Sequence, residues 1–497
     1  MYSIRILCAL WAVALSAQTV IDIGSKRELF VDGFLIDRMQ GADLRAQQPI
    51  EKGPVLQLDR PWEGAFSGYF TVIQEPGRFR LYYRCVPKAG GDGNAAESTC
   101  YAESADGIRW TKPDLGLFEV SETRKNNVIL ALTPPFSHNF TPFLDARPGV
   151  PADERYKALA GTSKSGLAAF ASADGIHWRR MREQPALPPS QTTMYDSQNV
   201  TFWSAAENAY VCYFRVFKKF ASGGVRWVAR TTSKDYLEWT PPVEMSFGDA
   251  PPEHLYTNQT GSYFRAPHIY VGIAARFMPG RQVLTAQEAA AIRVDPKYFQ
   301  DCSDAVLLTT RGGASYERRF LESFVRPGIG PENWVSRSNY PALNIVQTGP
   351  AEMSFYVNKN YGQPTAHLNR YALRLDGLAS LHAGYAGGEM ITRPVQFQGK
   401  FLEINFSTSA AGSVRVEIQN ADGTPVPGFT LSESREIIGD EIARTVSWKS
   451  GPDVSRLAGR PVRIRMVLKD ADVFSFRFRD QEAVQHVGQT AATTALR

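Results

Sequence analysis

The sequence contains few of the residues that most often perform chemistry, with only 7 histidines and 5 cysteines in 497 residues. It has no G-x-S-x-G nucleophile motif, no phosphate-binding loop and no H-E-x-x-H zinc motif. No pair of cysteines has the close spacing of a zinc site. These absences argue against a serine hydrolase, a nucleotide-binding enzyme and a zinc enzyme, and we expect neither a metal nor another cofactor.

An excess of one charge sign is also missing. The chain has 55 basic and 50 acidic residues, a formal net charge of +5, and no long run of either sign. Proteins that bind nucleic acids usually carry a clustered basic stripe. We therefore expect no nucleic-acid partner.

Long apolar runs are absent except at the start of the chain. Residues 1–17 combine an early cation, Arg5, with an apolar stretch at 6–15 and small residues at the end, which is the layout of a secretory signal peptide. The stretch is too short to span a bilayer comfortably, and no other segment approaches 18 apolar residues. We expect a secreted or periplasmic protein without a membrane span.

Two of the remaining cysteines flank a glycine-rich loop. Cys85 and Cys100 enclose the segment KAGGDGNAAES. They either form a disulfide across a hairpin or belong, with Cys212 and Cys302, to a set of buried free thiols.

An internal repeat is the main positive signal. The octets ESADGIRW (103–110) and ASADGIHW (171–178) are nearly identical, and SKDYLEW carries the same Asp-x-x-x-Trp spacing. Fainter copies begin at Gly312 and Asp376. Self-similarity at a fixed period is typical of repeat architectures.

Each copy follows three short runs rich in aromatic and β-branched residues, which are typical of antiparallel strands. The Asp-Gly pair favours a tight hairpin between the third and fourth strand of a unit. Five such units predict an all-β fold with a five-bladed β-propeller over residues 27–390. Residues 27–37 could supply a strand that closes the ring. A long array of β-sandwiches is the competing fold.

The repeat pattern ends after the fifth unit. Residues 391–480 are rich in strands but lack the Asp-x-x-x-Trp anchor, which predicts a C-terminal β-sandwich of jelly-roll type. Residues 481–497 show no apolar periodicity and are expected to be a disordered tail. Segment 284–299, in the longest gap between repeats, begins with an Ala/Glu-rich stretch that predicts an inserted helix.

The first strands of propeller blades line the central channel, so the loops that lead into them (the mouth loops) meet at one end of the channel. These loops place charged and hydrogen-bonding groups beside aromatic rings. The candidate catalytic carboxylates are Asp196, Glu253 and Glu63. The candidate substrate-binding residues are Trp62, His138, Asn139, Tyr195, Asn199, His254, Tyr256, Asn258, Trp334, Arg337 and Asn339.

Carboxylates beside aromatic rings are what the cleavage of a glycosidic bond requires. One carboxyl acts as the acid and another as the base or nucleophile, around an oxocarbenium-like transition state. We expect Asp196 and Glu253 to be the acid/base pair, with Glu63 next. Each of these acids also has a structural interpretation as a turn cap or surface charge, and Asp145 is expected to be structural.

The chain resembles the invertase and levanase type of glycoside hydrolase (family 32) and the related family 43, and most closely a group of exported bacterial proteins described as family 32-like. The resemblance lies in the S-x-D-G-I-x-W hairpins and in ELFVDGFLID, YDSQNV, EHLYTN and NWVSRSNYP. It implies a five-bladed propeller that acts on glycosidic bonds.

The catalytic motifs of the invertase type are nevertheless replaced. Glu63 in RPWEG stands where W-M-N-D-P-N-G is expected, His138 and Asn139 stand in place of R-D-P, and the third blade has Asp196 without a Glu-Cys pair. The resemblance therefore does not imply fructan or sucrose as substrate.

The sequence thus predicts an exported glycoside hydrolase that acts on an oligo- or polysaccharide. The alternative is a non-catalytic carbohydrate-binding propeller. A sialidase-like enzyme is a third option, but it would need a cluster of arginines, and only Arg337 stands in a mouth loop.

Overall fold

The computed structural model describes residues 19–190, 194–221 and 223–482, which form two compact units. One unit contains residues 29–32 and 44–380, and the other contains the remaining described residues. The predicted signal peptide and residues 483–497 of the predicted tail lie outside the described residues. In the described ranges no helix is long and apolar enough to cross a membrane.

The larger unit is built from five antiparallel sheets that follow the repeats of the sequence. Five strands precede the first complete repeat: β1 (Ile21–Gly24), β2 (Glu28–Leu29), β3 (Ile36–Gln40), β4 (Ala42–Ala46) and β5 (Ile50–Gln57). The first blade contains β6 (Gly68–Glu75), β7 (Arg78–Cys85), β8 (Ser98–Ser104) and β9 (Val128–Leu130). The second contains β10 (Thr141–Leu144), β11 (Tyr156–Thr162), β12 (Gly166–Ser172) and β13 (Arg179–Arg180). The third contains β14 (Val200–Ser204), β15 (Ala209–Phe220), β16 (Gly223–Ser233) and β17 (Val243–Glu244).

The last two blades are less regular. The fourth contains β18 (Leu255–Thr257), β19 (Thr260–Tyr263), β20 (Ala266–Met278) and β21 (Cys302–Thr310). The fifth contains β22 (Tyr340–Pro341), β23 (Val346–Gln347), β24 (Glu352–Lys359) and β25 (His367–Arg374). Between β20 and β21 lies the predicted helix, α1 (Ala286–Ala291), which begins with a capping box between Thr285 and Glu288.

The ring is closed by a strand from before the first blade, but not by the predicted one. Strand β5 pairs with β25, from Gln57 opposite His367 to Ile50 opposite Ala372. Within the predicted segment 27–37, Ile36 pairs with Thr392 inside the smaller unit, so this segment does not close the ring. The sequence pattern correctly predicted that a strand from before the first blade closes the ring, but it predicted the wrong strand.

The repeated octets are the predicted turns after the third strands. Asp174 accepts hydrogen bonds from the backbone N–H groups of Ile176 and His177, and this locks the turn between β12 and β13. Gly175 has a φ of 75°, and a Cβ there would lie 2.6 Å from the hydroxyl of Tyr82. That hydroxyl, from the first blade, donates to the Gly175 carbonyl. Each octet therefore both turns the chain and docks one blade on the preceding blade.

The core lies between the faces of neighbouring sheets. One buried cluster joins Tyr82 and Tyr101 of the first blade to Tyr156 and Phe170 of the second. Large apolar areas removed from water at such faces supply most of the driving force for folding.

The smaller unit is a strand-rich C-terminal domain that also takes in β1 and β3. Its later strands are β26 (Ala379–Ala383), β27 (Gly388–Thr392), β28 (Val395–Phe397), β29 (Phe401–Asn420), β30 (Asp440–Thr445) and β31 (Val462–Arg479). The pairing of β29 with β31 is interrupted between Thr408 and Ser413, as at the corner of a β-sandwich. The fold class is the predicted one, a five-bladed propeller followed by a β-sandwich. The predicted boundary at residue 390 falls within β27.

Candidate functional site

A cluster of two carboxylates and one imidazole lies at the propeller mouth. Asp92, His138 and Asp196 each offer one ligand-type atom, and these atoms lie within 4.8 Å of one another. The three residues belong to the first, second and third blades. Among the described residues this is the one group of its kind.

Asp92 lies on the glycine-rich loop between β7 and β8. A disulfide joins Cys85 to Cys100 at the base of this loop, so the first of the two alternatives from the sequence is realised. The other two cysteines of the described chain, Cys212 and Cys302, are buried free thiols. The cross-link restricts the loop that carries Asp92.

His138 is buried, and a carboxylate from outside the cluster, Glu97, orients its ring. Its Nδ1 atom lies 2.8 Å from Oε2 of Glu97. Its Nε2 atom is buried without a hydrogen-bond partner. Because Nδ1 is occupied by Glu97, Nε2 is the nitrogen left for a ligand or for the two aspartates. Bonding of this kind fixes both the ring orientation and the tautomer of a histidine.

The two aspartates have opposite pKa shifts. Desolvation and the hydrogen bond to Asp196 raise the pKa of Asp92. Desolvation also acts to raise the pKa of Asp196, but its ion pair with Arg215 and the hydrogen bond from Asp92 outweigh it and hold that pKa below the ordinary value. Of the two, Asp92 is therefore the carboxyl that holds a proton to higher pH, and Asp196 is the one that ionises more readily.

Three guanidinium groups surround one tyrosine ring beside this cluster. The Cζ atoms of Arg215, Arg226 and Arg337 lie 4.8, 5.2 and 5.2 Å from the ring centroid of Tyr256. Arg215 connects the two groups of residues, since it also pairs with Asp196. The mouth is therefore strongly cationic on this side.

Aromatic side chains adjoin the arginines at the mouth, because Arg337 lies over rings of both groups. The rings of Phe66, Tyr298 and Tyr361 contact one another with centroid separations of 5.4 to 5.8 Å. The guanidinium of Arg337 lies over Tyr298 at 5.0 Å. Tyr298 belongs to the helical insertion 284–299, so that insertion contributes to the mouth. A fourth arginine, Arg84, lies 4.6 Å from the Tyr69 ring.

The structure brings several predicted residues to this mouth. Asn139 accepts from Arg84 through its side-chain oxygen and donates to the Ser197 carbonyl, and thereby connects two blades. His254 accepts a hydrogen bond from the backbone N–H of Arg226, and burial together with that arginine lowers its pKa. The predicted residues in this part of the mouth are His138, Asn139, Asp196, His254, Tyr256 and Arg337.

Two predicted carboxylates lie in other networks. Glu63 is buried and accepts from the Tyr83 hydroxyl at 2.6 Å and from Lys112 at 2.7 Å. Glu253 is held by Arg276 and Arg318 at 2.6 and 3.0 Å. Both carboxylates have enough cationic or hydroxyl partners to be structural, and neither joins the cluster of Asp92, His138 and Asp196.

The other predicted residues mainly stabilise the blades. The indole N–H of Trp62 donates to Asn127, and that of Trp334 donates to the Gly328 carbonyl. Tyr195 packs its ring on Phe214 in the core. Three asparagines bond to nearby backbone or to buried side chains: Asn199, Asn258 and Asn339.

Several mouth residues were missed because they do not lie in mouth loops. Arg84 and Arg215 stand in the second strands of their blades, Arg84 next to the end of β7 and Arg215 in the middle of β15, in the related texts YYRC and YFRV. That recurrence was a usable signal. Arg337 is the one arginine in the mouth loops, but Arg84, Arg215 and Arg226 also lie at the mouth. A lack of clustered arginines is therefore no longer a reason to exclude a sialidase-like enzyme. Asp92 was also missed, inside the loop that was considered only for its flanking cysteines.

The arrangement can transfer a proton and stabilise a positive centre. A protonated Asp92 can donate, an ionised Asp196 can attack or accept, and His138 can bind a hydroxyl. The same three side chains offer the oxygen and nitrogen ligands that a divalent cation could use.

No family model matches the chain, and no curated protein matches it. The likeness to family 32 therefore stays a prediction. Solved structures with a similar fold include a glycoside hydrolase, with 10% identity and a TM-score of 0.45 over 66% of this chain and 92% of the other. An N-acetylgalactosamine deacetylase from F. plautii has 14% identity and a TM-score of 0.40, with 67% and 96% covered. A β-1,2-mannobiose phosphorylase from Listeria innocua has 10% identity and a TM-score of 0.42, with 67% and 97% covered. These likenesses concern the fold, which is a five-bladed β-propeller.

Proposed function

We propose that the protein is an exported glycoside hydrolase in which Asp92 and Asp196 are the catalytic carboxyl groups. The observation that carries this proposal is the pair itself: two carboxyls meet at the mouth, one with a raised and one with a lowered pKa. Environments that shift the pKa values of two carboxyls in opposite directions suit one to act as the acid and the other as the base. Export is proposed from the signal-like residues 1–17.

The reaction then runs in two steps. Asp92 gives its proton to the glycosidic oxygen as the bond to the anomeric carbon breaks, and Asp196 attacks that carbon. Asp92, now ionised, takes a proton from water as the water oxygen attacks the same carbon and releases Asp196. The two carboxyls are hydrogen-bonded to each other in the structure, so they must separate to about 5 Å for a sugar to enter between them and react with retention of configuration.

The remaining mouth residues suit a sugar. Phe66 and Tyr298 are half-buried rings in contact with each other, and pockets for organic ligands combine such aromatic groups with a few placed polar groups. The unpartnered Nε2 of His138 is available for a hydroxyl group.

The test is the release of reducing sugar from a broad panel of glycans by the purified protein. Asp92→Asn and Asp196→Asn should each lower the rate by about a hundredfold or more, because each removes a proton-transfer or nucleophilic group. The matched control is Glu253→Gln, which alters a carboxylate bound by two arginines. Thermal unfolding of all variants shows whether they fold.

Each outcome decides between assignments. Release that survives in the Asp92 and Asp196 variants but is lost in Glu253→Gln would overturn the pair and favour the acid predicted from the sequence. Release that a chelator abolishes and a divalent cation restores would reassign Asp92, His138 and Asp196 to a metal centre. Binding without any release would leave the carbohydrate-binding propeller as the function.

A further inference from the structure

Within the described ranges, the guanidinium groups around Tyr256 differ from other arginines that are buried or half-buried. Arg276 is paired with Glu253 and Asp304, Arg230 with Glu207, and Arg27 with Glu403. A buried charge is costly unless it is paired, and these arginines follow that rule.

The arginines of the mouth have fewer acidic partners. Among the described residues, no carboxylate lies within 4.0 Å of Arg84, Arg226 or Arg337, and Arg215 has Asp196 as its single acidic partner. Their recorded hydrogen bonds go to neutral groups: Arg337 donates to the Tyr361 hydroxyl at 3.4 Å, and Arg84 donates to Asn139 at 3.4 Å. The four cations face two carboxylates with lowered pKa values, Asp196 paired with Arg215 and Glu97 near Arg84, and Arg226 and Arg337 have neither as an ion-pair partner.

Several of their N–H groups also have no acceptor. Nε and Nη1 of Arg215, Nε of Arg84 and Nε of Arg226 are buried from solvent without a hydrogen-bond partner. Arg215 and Arg84 are 2% and 8% exposed. Desolvation and the neighbouring Arg215 and Arg337 lower the pKa of Arg226, as repulsion between like charges requires.

Tyr256 alone does not balance this group. A cation above a tyrosine ring is attracted to it, but three guanidiniums around one ring still repel one another. An oxyanion placed among them would accept from the free N–H groups and cancel part of the charge. Guanidinium groups bind carboxylate and phosphate oxygens in paired hydrogen bonds.

We infer that the sugar bound at this mouth carries an oxyanion, as a uronic acid does, and that Arg226 and Arg337 bind that group beside Tyr256. This inference rests on the proposed function, because it names the substrate class of the same site. The bound oxyanion lies near Asp196 in this arrangement, because Arg215 contacts both Asp196 and the Tyr256 ring.

The test measures binding separately from turnover. Oligomers of galacturonic, glucuronic and mannuronic acid are titrated into the Asp92→Asn protein by calorimetry, together with the same oligomers after methyl esterification. Esterification removes the charge and keeps the sugar. At least one acidic oligomer should bind about tenfold or more tightly than its ester.

The arginines are tested in the same background. Arg226→Gln and Arg337→Gln should each weaken binding of the acidic oligomer by about tenfold or more and leave the affinity for the ester unchanged. The matched control is Arg109→Gln, which removes the same charge at a side chain that is 89% exposed on the first-blade hairpin. It should change neither affinity.

The outcomes separate the inference from the function on which it rests. Equal affinity for acid and ester, or Arg226 and Arg337 variants that bind like the parent, overturns the inference even if a neutral glycan is cleaved. Acid-selective binding without cleavage overturns the hydrolase and keeps the anion site. Inorganic phosphate is titrated as well; if it binds at these arginines and no acidic oligomer does, the anion is a free one and the inference fails.

Discussion

Glu97 and His138 are joined by a contact of 2.8 Å between Oε2 and Nδ1, and both side chains are at least 97% buried. The contact leaves Nε2 as the single available nitrogen of the ring. The hydrogen bond from His138 is the main influence that lowers the pKa of Glu97 despite its burial. Glu97 is therefore a positioning residue, since it acts on the mouth through the imidazole.

The Glu97→Gln variant should lower kcat while changing KM little, because the ring loses the partner that fixes its orientation. Loss of this charged hydrogen bond should also cost about 1–3 kcal/mol of unfolding free energy. Steady-state kinetics and denaturant titration check the two effects. The control is Glu103→Gln, whose carboxylate accepts from the Tyr101 hydroxyl at 3.0 Å. A proportional loss of kcat in both variants would show a merely structural role.

The pH dependence of the reaction should respond to Arg215. This guanidinium stabilises the ionised form of Asp196, so Arg215→Gln should raise the pKa of that carboxyl. Activity requires ionised Asp196, so the acidic limb of kcat/KM should move to higher pH in the variant. The alkaline limb, where Asp92 loses its proton, should remain. A profile of kcat/KM against pH with an unmoved acidic limb would contradict the assigned role of Asp196.

The disulfide should support both stability and activity. Cys85 and Cys100 are separated by 15 positions, and closing a loop of this length stabilises a fold by about 3 kcal/mol in the chain-entropy view. The paired Cys85→Ser/Cys100→Ser variant should lose about that much unfolding free energy, and it should lose activity because the loop with Asp92 is less restricted. Denaturant titration and kinetics check this. Reduced wild-type protein should behave in the same way as the variant, and an effect seen in only one of them would count against the explanation.

The C-terminal domain should be weakened by acid through Glu403. Burial opposes ionisation of this side chain, but Arg479, Arg477 and Arg27 outweigh burial and lower its pKa to about 2. A lowered folded-state pKa means that the stabilisation is complete above the unfolded pKa of about 4.3 and is lost as the pH falls through about 2. The shift corresponds to about 3 kcal/mol.

The variant Glu403→Gln should therefore be less stable at pH 7, by about 3 kcal/mol or more, because it leaves buried cations unpaired. The difference from wild type should narrow between pH 4.5 and pH 2. Unfolding free energies across this range test the sign. A difference that widens towards acid pH would mean that another group controls the acid response.

The fold could be predicted from the sequence because its signals are local. Asp106 and Asp174 each bond to backbone N–H groups two and three residues ahead, so the turn is encoded within one octet. A repeated octet then gives the number of blades. The strand that closes the ring was harder to predict from the sequence, because β5 is recognised only by its pairing with a strand more than 300 residues away.

The site was less predictable because proximity around a ring is not a local property. Arg84, Arg215 and Arg226 stand on strands or near their ends, and their convergence depends on the ring geometry. The aromatic residues of the mouth loops also have competing uses, since Trp62 and Tyr195 pack into the blades. Polar and aromatic composition alone does not distinguish a pocket wall from a core position.

The closure of the ring by β5 has a consequence for the order of folding. The partner strand, β25, ends at Arg374, so the fifth sheet lacks its outer strand until nearly the whole propeller segment has been made. Until β25 has been made, β5 has no partner strand and is open to pairing with other chains, and the edge of β25 then stays open until β5 pairs with it. Contacts of such long sequence separation also form slowly. Ring closure should be the late, slow and aggregation-sensitive step in the biogenesis of this protein.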